Sequence, residues 1–297
     1  ETMFYQPRDL HFTNVAGNKI AKDKLVLGVE INGEAKAYPI QLIGYHHQVR
    51  DSIGGKPVMV TYCTVCRTGR VFSPFVNGKP EVFRLVGMDH FNAMFEDGGT
   101  KSWWRQVSGE AVAGPLKGQK LEEIPSRQLS LASWLNLHPS SMIMQPDSNF
   151  KKQYGELEGY DKGKLKNSLE KRDSLSWKDK SWVVGIKNAK YSKAIDWNLL
   201  VEKQIIQDSL PQLPFLVVLE KDSVSFHVYN RMVEGSVLRF EKVIRDHSDL
   251  MFDLNSGSIW NKQGVCIEGA LKGKSLTLIQ SYQEYWHSWK TFNPQTS

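Results

Sequence analysis

Two cysteines, Cys63 and Cys66, stand two residues apart in TYCTVCRTG, Thr61 to Gly69, between one strand-forming run (Pro57 to Tyr62) and another (Arg70 to Phe75). Thiols at this spacing ligate a soft metal, cycle between dithiol and disulfide, or serve as two small buried apolar groups. The chain has three cysteines in all, so a site of four thiolates within one chain is excluded. What remains for a metal is a pair of thiolates completed by imidazole. His46 and His47 lead as partners, with His90, His138, Met88 and Asp97 behind them. Sulfur with nitrogen selects copper or zinc over hard cations, and a transition metal, copper favoured over zinc, is the expected cofactor. Asp97 or His90 would orient a ligand from behind.

In the competing thiol chemistry Cys63 attacks and Cys66 resolves. The residues that follow, Arg67 to Phe72, read as strand rather than helix, so no helix dipole acidifies the first thiol. Arg67 remains as the charge that would favour a thiolate.

The elements that must hold these residues read as short strands. LVLGVEI, from Leu25, leads through Asn32-Gly33 into AKAYPI, and Asn77-Gly78 separates RVFSPFV from EVFRLVG; Asn-Gly between alternating residues marks a two-residue hairpin. Few stretches keep a helical period, SLASWLNL and YQEYWHSWKTF being the best. The fold class expected is mainly β, an α+β protein with few short helices.

The second half repeats the plan of the first. WVVGIKNAKYSKAIDWNLL, from Trp182, matches LVLGVEINGEAKAYPIQLI, and PFLVVLEKDSVSFHVY, from Pro214, matches PVMVTYCTVCRTGRVF without a gap. TKSWWRQVSGEAVAGPLKGQKL, from Thr100, likewise meets SGSIWNKQGVCIEGALKGKSL, from Ser256. The matches keep their order over about 115 residues, which reads as an internal duplication. The expected organisation is an N-terminal arm (1–20), a first repeat with the cysteine site (21–144), a polar Lys-rich linker (145–180) with some local order around Tyr154 and Tyr160, and a second, degenerate repeat (181–297).

A duplicated chain separates scaffold from chemistry. Asp89-His90 pairs with Asp246-His247, Ser102 with Ser258, Trp104 with Trp260 and Gly118 with Gly273, so these serve the scaffold first. The Gly-x-Leu-Lys-Gly segments read as turns. Cys63 and Cys66 instead align with Glu220 and Ser223, and His46-His47 with Lys203-Gln204, so soft ligands and bases concentrate in the first copy. Because Glu220 to Ser223 is a plain turn, Cys63 to Cys66 is expected to cap a hairpin, both sulfurs to one side. Glu96-Asp97 and Glu122-Glu123 are adjacent in strand and read as solvated surface.

Composition narrows the class. With 40% hydrophobic and 24% charged residues over 297, the chain is an ordinary globular protein. Its formal charge of +6 is densest between Lys151 and Lys180, with no basic helix interleaved with aromatics, so nucleic acid is not an expected partner. No phosphate loop, nucleophile elbow, His-Glu-x-x-His or dinucleotide fingerprint is present. Trp103, Trp104, Trp134, Trp286 and Trp289 offer a third reading, an aromatic binding module for carbohydrate or peptide, although the pairing of Trp104 with Trp260 and of Trp134 with Trp289 favours core.

TYCTVCRTGRVF, FNAMFED, TKSWWRQVSGEAVAGPLKG and their echo in SGSIWNKQG and GALKG resemble the bacterial family catalogued as domain of unknown function 3179, over nearly the whole chain from Leu25. Its members carry a His-Glu-x-x-Asn-Asp pattern ahead of the Tyr-Cys motif; here HHQVRD keeps His46 and Asp51, while His47 replaces the acid and Arg50 the amide. The resemblance implies that Asn92, Asp97, Thr100, Ser102, Trp104 and Gln106 line the same cleft as the cysteines, and that the protein is extracytoplasmic, periplasmic or membrane-anchored. Since the chain begins at Glu1, a removed N-terminal leader or anchor is expected. The partners expected are a metal ion and a redox partner or small-molecule substrate.

Overall fold

A computed structural model describes residues 4–188, 190–245 and 248–297; Asp246 and His247 lie outside the described residues. Both Asn-Gly pairs occupy the left-handed backbone that two-residue hairpin turns require, with φ of 52° and 81° at Asn32-Gly33 and 50° and 76° at Asn77-Gly78. The first joins Leu25–Ile31 to Glu34–Pro39 and the second joins Phe75–Val76 to Lys79–Pro80.

The protein is mainly β, with short helices between small sheets. In the first half Leu25–Ile31 lies between Glu34–Pro39 and Arg127–Ser130; Gln48–Ile53, Lys56–Cys63 and Thr68–Phe72 form a three-stranded meander; and Phe83–Asp89, Asn92–Asp97, Trp103–Arg105 and Ala111–Ala113 form a four-stranded one. The second half shows the same elements in the same order. Trp182–Asn188 lies between Tyr191–Asp196 and Ser281–Tyr285. Ile205–Leu210, Leu213–Leu219 and Phe226–Asn230 form the matching meander, and Phe240–Arg245, Ser248–Asp253, Ile259–Asn261 and Cys266–Glu268 the matching four-stranded sheet.

A shared packing device explains two repeated residues. An added Cβ at Gly28 would fall 2.3 Å from the Trp134 ring, and one at Gly185 would fall 2.1 Å from the Trp289 ring. Each tryptophan rides on a helix, Leu131–Leu137 or Trp286–Phe292, laid against the strand that carries the glycine. Their indole N–H groups reach Ser141 and Thr296, each at 2.8 Å. Trp104, Trp134 and Trp289 are core, while Trp103 is exposed.

Three expectations change. The helix anticipated over YQEYWHSWKTF begins at Trp286, because Ser281–Tyr285 completes a ladder with Trp182–Asn188 and buries Tyr282 to Tyr285; tertiary pairing overrides local propensity. Helices Ile40–His46 and Trp197–Lys203 were not anticipated. Each spans seven residues, too few for a helical period to stand out, and each ends at a left-handed residue, His47 or Gln204. The stretch 145–180 carries a 3-10 turn at Ser148–Phe150 and a helix at Lys151–Glu156, and its Phe150, Tyr154, Leu157 and Tyr160 join the core of the first half. Tyrosine and phenylalanine in a polar stretch were the signal that it packs. No helix among the described residues is long and apolar enough to cross a membrane.

Candidate functional site

The cysteine turn forms where strand Lys56–Cys63 reverses into strand Thr68–Phe72, with Cys63 opposite Thr68. Arg67 takes a left-handed φ of 56° to close the turn. The equivalent reversal in the second half, between Leu213–Leu219 and Phe226–Asn230, is held in the same register: Tyr62 N–H donates to His47 C=O, and Leu219 N–H to Gln204 C=O. The expectation of a hairpin cap therefore holds.

Both sulfurs point toward one atom. Cys63 Sγ and Cys66 Sγ each lie 3.5 Å from the carbonyl oxygen of Phe91, and the two residues are free thiols. They are 2% and 0% exposed and sit in the core cluster that holds Phe72, Phe95 and Trp104. Asn92 Nδ2 donates to Cys66 Sγ at 3.4 Å and to Gln106 Oε1 at 3.0 Å, while its own oxygen accepts the Val107 N–H. Gln106 in turn donates to Thr61 Oγ1 and Thr68 C=O. This fixes the amide beside the sulfur.

The two thiols are unequal. Burial pushes the Cys63 thiol up, but hydrogen bonds from the Cys66 thiol and from the backbone N–H groups of Ala93 and Cys66 outweigh it, and its pKa is lowered. Burial pushes the Cys66 thiol well up, reinforced by the proton it gives to Cys63 and by the Cys63 charge, with Asn92 and Ser288 opposing. Of the two thiols, Cys63 is therefore the first to give up its proton.

The second half closes the site. Tyr285 N–H donates to Cys66 C=O at 2.9 Å, Lys180 Nζ donates to Val65 C=O at 2.8 Å, and His287 Nε2 lies 3.1 Å from the same oxygen and 3.2 Å from Lys180. Burial lowers the Lys180 pKa, against the charges of Cys66 and Cys63. Glu284 receives Thr68 Oγ1, Arg70 Nη2 and, through its other oxygen, Ser288. His287 and Glu284 were missed because polar differences were sought in the first half alone; Ser288 matches Ser133 and Lys180 lies in the 145–180 stretch, so comparison of the halves marks neither. By the Trp134–Trp289 match Glu284 stands where the first copy has Leu129, and His287 where it has Ala132. Those two contrasts were the available signal.

The remaining candidates take partners other than the sulfurs. Arg67 turns away, stacking 3.7 Å over Trp182 and donating to Gln283, Tyr160 C=O and Asp161 C=O. His46 is buried, with Nε2 2.6 Å from Tyr154 Oη and Nδ1 on Tyr5 C=O. His47 stacks on Phe4 at 4.2 Å, its Nδ1 buried without a partner. His90 is exposed and pairs with Asp89 at 2.6 Å. Asp97 accepts from Thr100 N–H and Oγ1, Ser102 N–H and Trp104 Nε1, tying down the turn before Trp103–Arg105. Asp253 ties the matching turn through Asn255 and Ser256, so Asp97, Ser102 and Trp104 hold scaffold. Glu96, read as solvated, is buried and receives Arg84 and Trp103; the carboxylate of Asp97 is likewise buried. Among the described residues no group of three or more His, Cys, Asp or Glu is placed to hold a metal.

Where the first half carries thiols, the second carries a hydrogen-bonded polar cluster. Glu220 receives Ser133 Oγ at 2.6 Å and lies 2.5 Å from His227 Nε2, whose Nδ1 faces Arg127 at 2.7 Å. Both clusters sit where the hairpin turn of one half meets the strand and helix that end the other.

Fold and site together define a mainly β protein of two like-ordered halves with one vicinal thiol pair enclosed between them. The chain belongs to the family described as Protein of unknown function (DUF3179), whose sequence model matches residues 8–296. No curated protein and no solved structure gives a significant match.

Proposed function

We propose that the first half carries a two-electron dithiol–disulfide centre, with Cys63 as nucleophile and Cys66 as the resolving thiol. The observation that carries this reading is the placement of two free thiols on one side of a hairpin turn, both against the Phe91 carbonyl, with hydrogen bonds that lower the Cys63 pKa and burial that raises the Cys66 pKa. Cys63 thiolate attacks one sulfur of a substrate disulfide and expels the first thiolate. Cys66, giving its proton to that departing thiolate, then attacks Cys63 Sγ and expels the second. The protein ends as a Cys63–Cys66 disulfide, and the substrate takes two electrons and ends as two thiols, the second expelled thiolate taking its proton from water. Asn92 holds the Cys66 sulfur, and the second half supplies the charge and donors around the turn.

Access runs through the Asp89–Asn92 turn. Its central residues, His90 and Phe91, take φ of 48° and 67°, a left-handed pair that ordinarily falls to Asn and Gly. Phe91 is 54% exposed and covers the sulfurs with backbone alone. A turn held in costly backbone geometry over the reacting atoms is the element that moves.

The extracytoplasmic setting suggested by the family resemblance suits such a centre, since disulfides persist in oxidising compartments. The second reading is a soft-metal site, copper before zinc, favoured by two sulfurs turned to one side of a hairpin. Titration of thiolate absorbance against pH, beside Cys63→Ser and Cys66→Ser, tests both. One thiolate forming below the ordinary cysteine value of about 8.5, lost in Cys63→Ser, together with a reversible two-electron redox transition, supports the dithiol. Two thiols that titrate above that value and do not cycle sink it. Near-stoichiometric copper in protein purified without chelator, absent from Cys63→Ser, moves the assignment to metal.

A further inference from the structure

Lys180, which reaches the cysteine turn, also lines a cleft of about 670 Å³ formed by residues 168–180. Lys171, Arg172, Lys178 and Lys180 line it with Asp173 and Asp179, four cations against two carboxylates. Both carboxylates are engaged, Asp179 with Lys290 at 3.5 Å and Asp173 with the Leu175 N–H at 2.9 Å. The side chains of Lys171 and Lys178 are exposed and form no ion pair among the described residues. Arg172 lies over the Trp182 ring at 3.9 Å with Nη2 on Asn198, and its buried Nε has no hydrogen-bond partner among the described residues. Trp177, 48% exposed, adds an aromatic wall braced edge-on against Trp286 at 5.0 Å. At one end Lys180 donates to Val65 C=O, one residue before Cys66.

We propose that this cleft binds a small organic oxyanion, and that the oxyanion is the tail of the disulfide that Cys63 reduces. The substrate class is then an acidic, low-molecular-weight disulfide, leaving as two acidic thiols. This second step rests on the dithiol reading above. The lining carries four cations against two carboxylates, so a carboxylate gains charge-assisted hydrogen bonds from the exposed Lys171 and Lys178 without breaking an ion pair of theirs among the described residues. Lys180 belongs both to the cleft lining and, through Val65, to the cysteine turn.

The test uses two disulfides of like reactivity, dianionic 3,3′-dithiodipropionate and neutral bis(2-hydroxyethyl) disulfide, with Lys171→Glu/Lys178→Glu, both exposed positions, as the variant. Binding is read by tryptophan fluorescence in a Cys63→Ser/Cys66→Ser background, where no exchange occurs, and reduction is read in the parent. The dianion is expected to bind with the neutral disulfide showing none, and the charge-reversal variant to weaken it by about tenfold or more. Reduction of the dianion falls in parallel, while that of the neutral compound is unchanged. Equal binding of both compounds, or binding untouched by charge reversal, overturns the cleft. Charge-dependent binding with no reduction of either compound keeps the cleft and overturns its link to the thiols. Reduction of both at one rate, insensitive to the variant, keeps the dithiol and removes the cleft.

Discussion

His47 shows how one residue carries a conformational and an electrostatic burden at once. It ends helix Ile40–His46 at a φ of 59°, and its ring lies on Phe4 with Nδ1 buried and unpartnered. Burial pushes its pKa down to about 4, from the ordinary histidine value of about 6.5. A group whose folded pKa is depressed contributes stability above its unfolded pKa and loses it as pH falls through the folded one. The loss therefore runs between about pH 6.5 and pH 4, up to roughly 3 kcal/mol for a ring kept neutral by burial. His47→Gln installs the residue found at the matching left-handed position, Gln204. Urea midpoints across that range should fall less steeply with acid in His47→Gln than in the parent. Parallel curves would show that the ring takes up its proton without leaving its place.

At the level of elements, the glycine–tryptophan contact is the device both halves depend on to seat a helix on a sheet. Gly28→Ala places a methyl group 2.3 Å from the Trp134 ring and Gly185→Ala one 2.1 Å from Trp289, closer than any real contact, so the helix must shift outward. Overpacking of this kind costs about 1–3 kcal/mol. Each substitution should lower the thermal midpoint, and Gly28→Ala should do so without altering the thiol titration, because Trp134 lies in a core cluster separate from the cysteines. Unchanged stability in either variant would show that the ring has free space behind it. The same elements show what the sequence makes legible. Asn-Gly turns, strand alternation and the order of the two halves could be read because each is written in a few adjacent residues. The hairpin of Cys63 and Cys66 was legible by comparison with Glu220 to Ser223. Hidden from that reading were the seven-residue helices, whose ends are set by left-handed residues, and the partners of the sulfurs. Asn92 and Gln106 came from the family resemblance, whereas Lys180, His287 and Ser288 arrive from more than 100 residues away through the packing of one half on the other.

At the scale of the whole molecule, the two halves meet through charge that is fully removed from water. Arg70 and Glu284 are both 0% exposed and pair at 2.5 Å, with Arg70 also stacked on Tyr282 at 3.2 Å and donating to Val107 C=O. Desolvation opposes the Arg70 charge, and the charges of Glu284, Tyr282 and Glu123 overcome it, so its pKa is raised. Removing one member leaves the other buried and uncompensated, which costs about 3–5 kcal/mol, whereas replacing both with apolar residues of similar size is often near neutral. Glu284→Leu, which installs the residue at the matching position of the first half, should therefore destabilise strongly, and Arg70→Met/Glu284→Leu should recover much of the loss. The pair also touches the chemistry, because the Glu284 charge raises the Cys63 pKa. Glu284→Gln, which keeps a hydrogen-bonding shape and removes the charge, should shift thiolate formation at Cys63 to lower pH. A double variant no more stable than Glu284→Leu would show that Arg70 finds other compensation. An unmoved thiol titration in Glu284→Gln would show that the second half shapes the site by contact alone, without its charge.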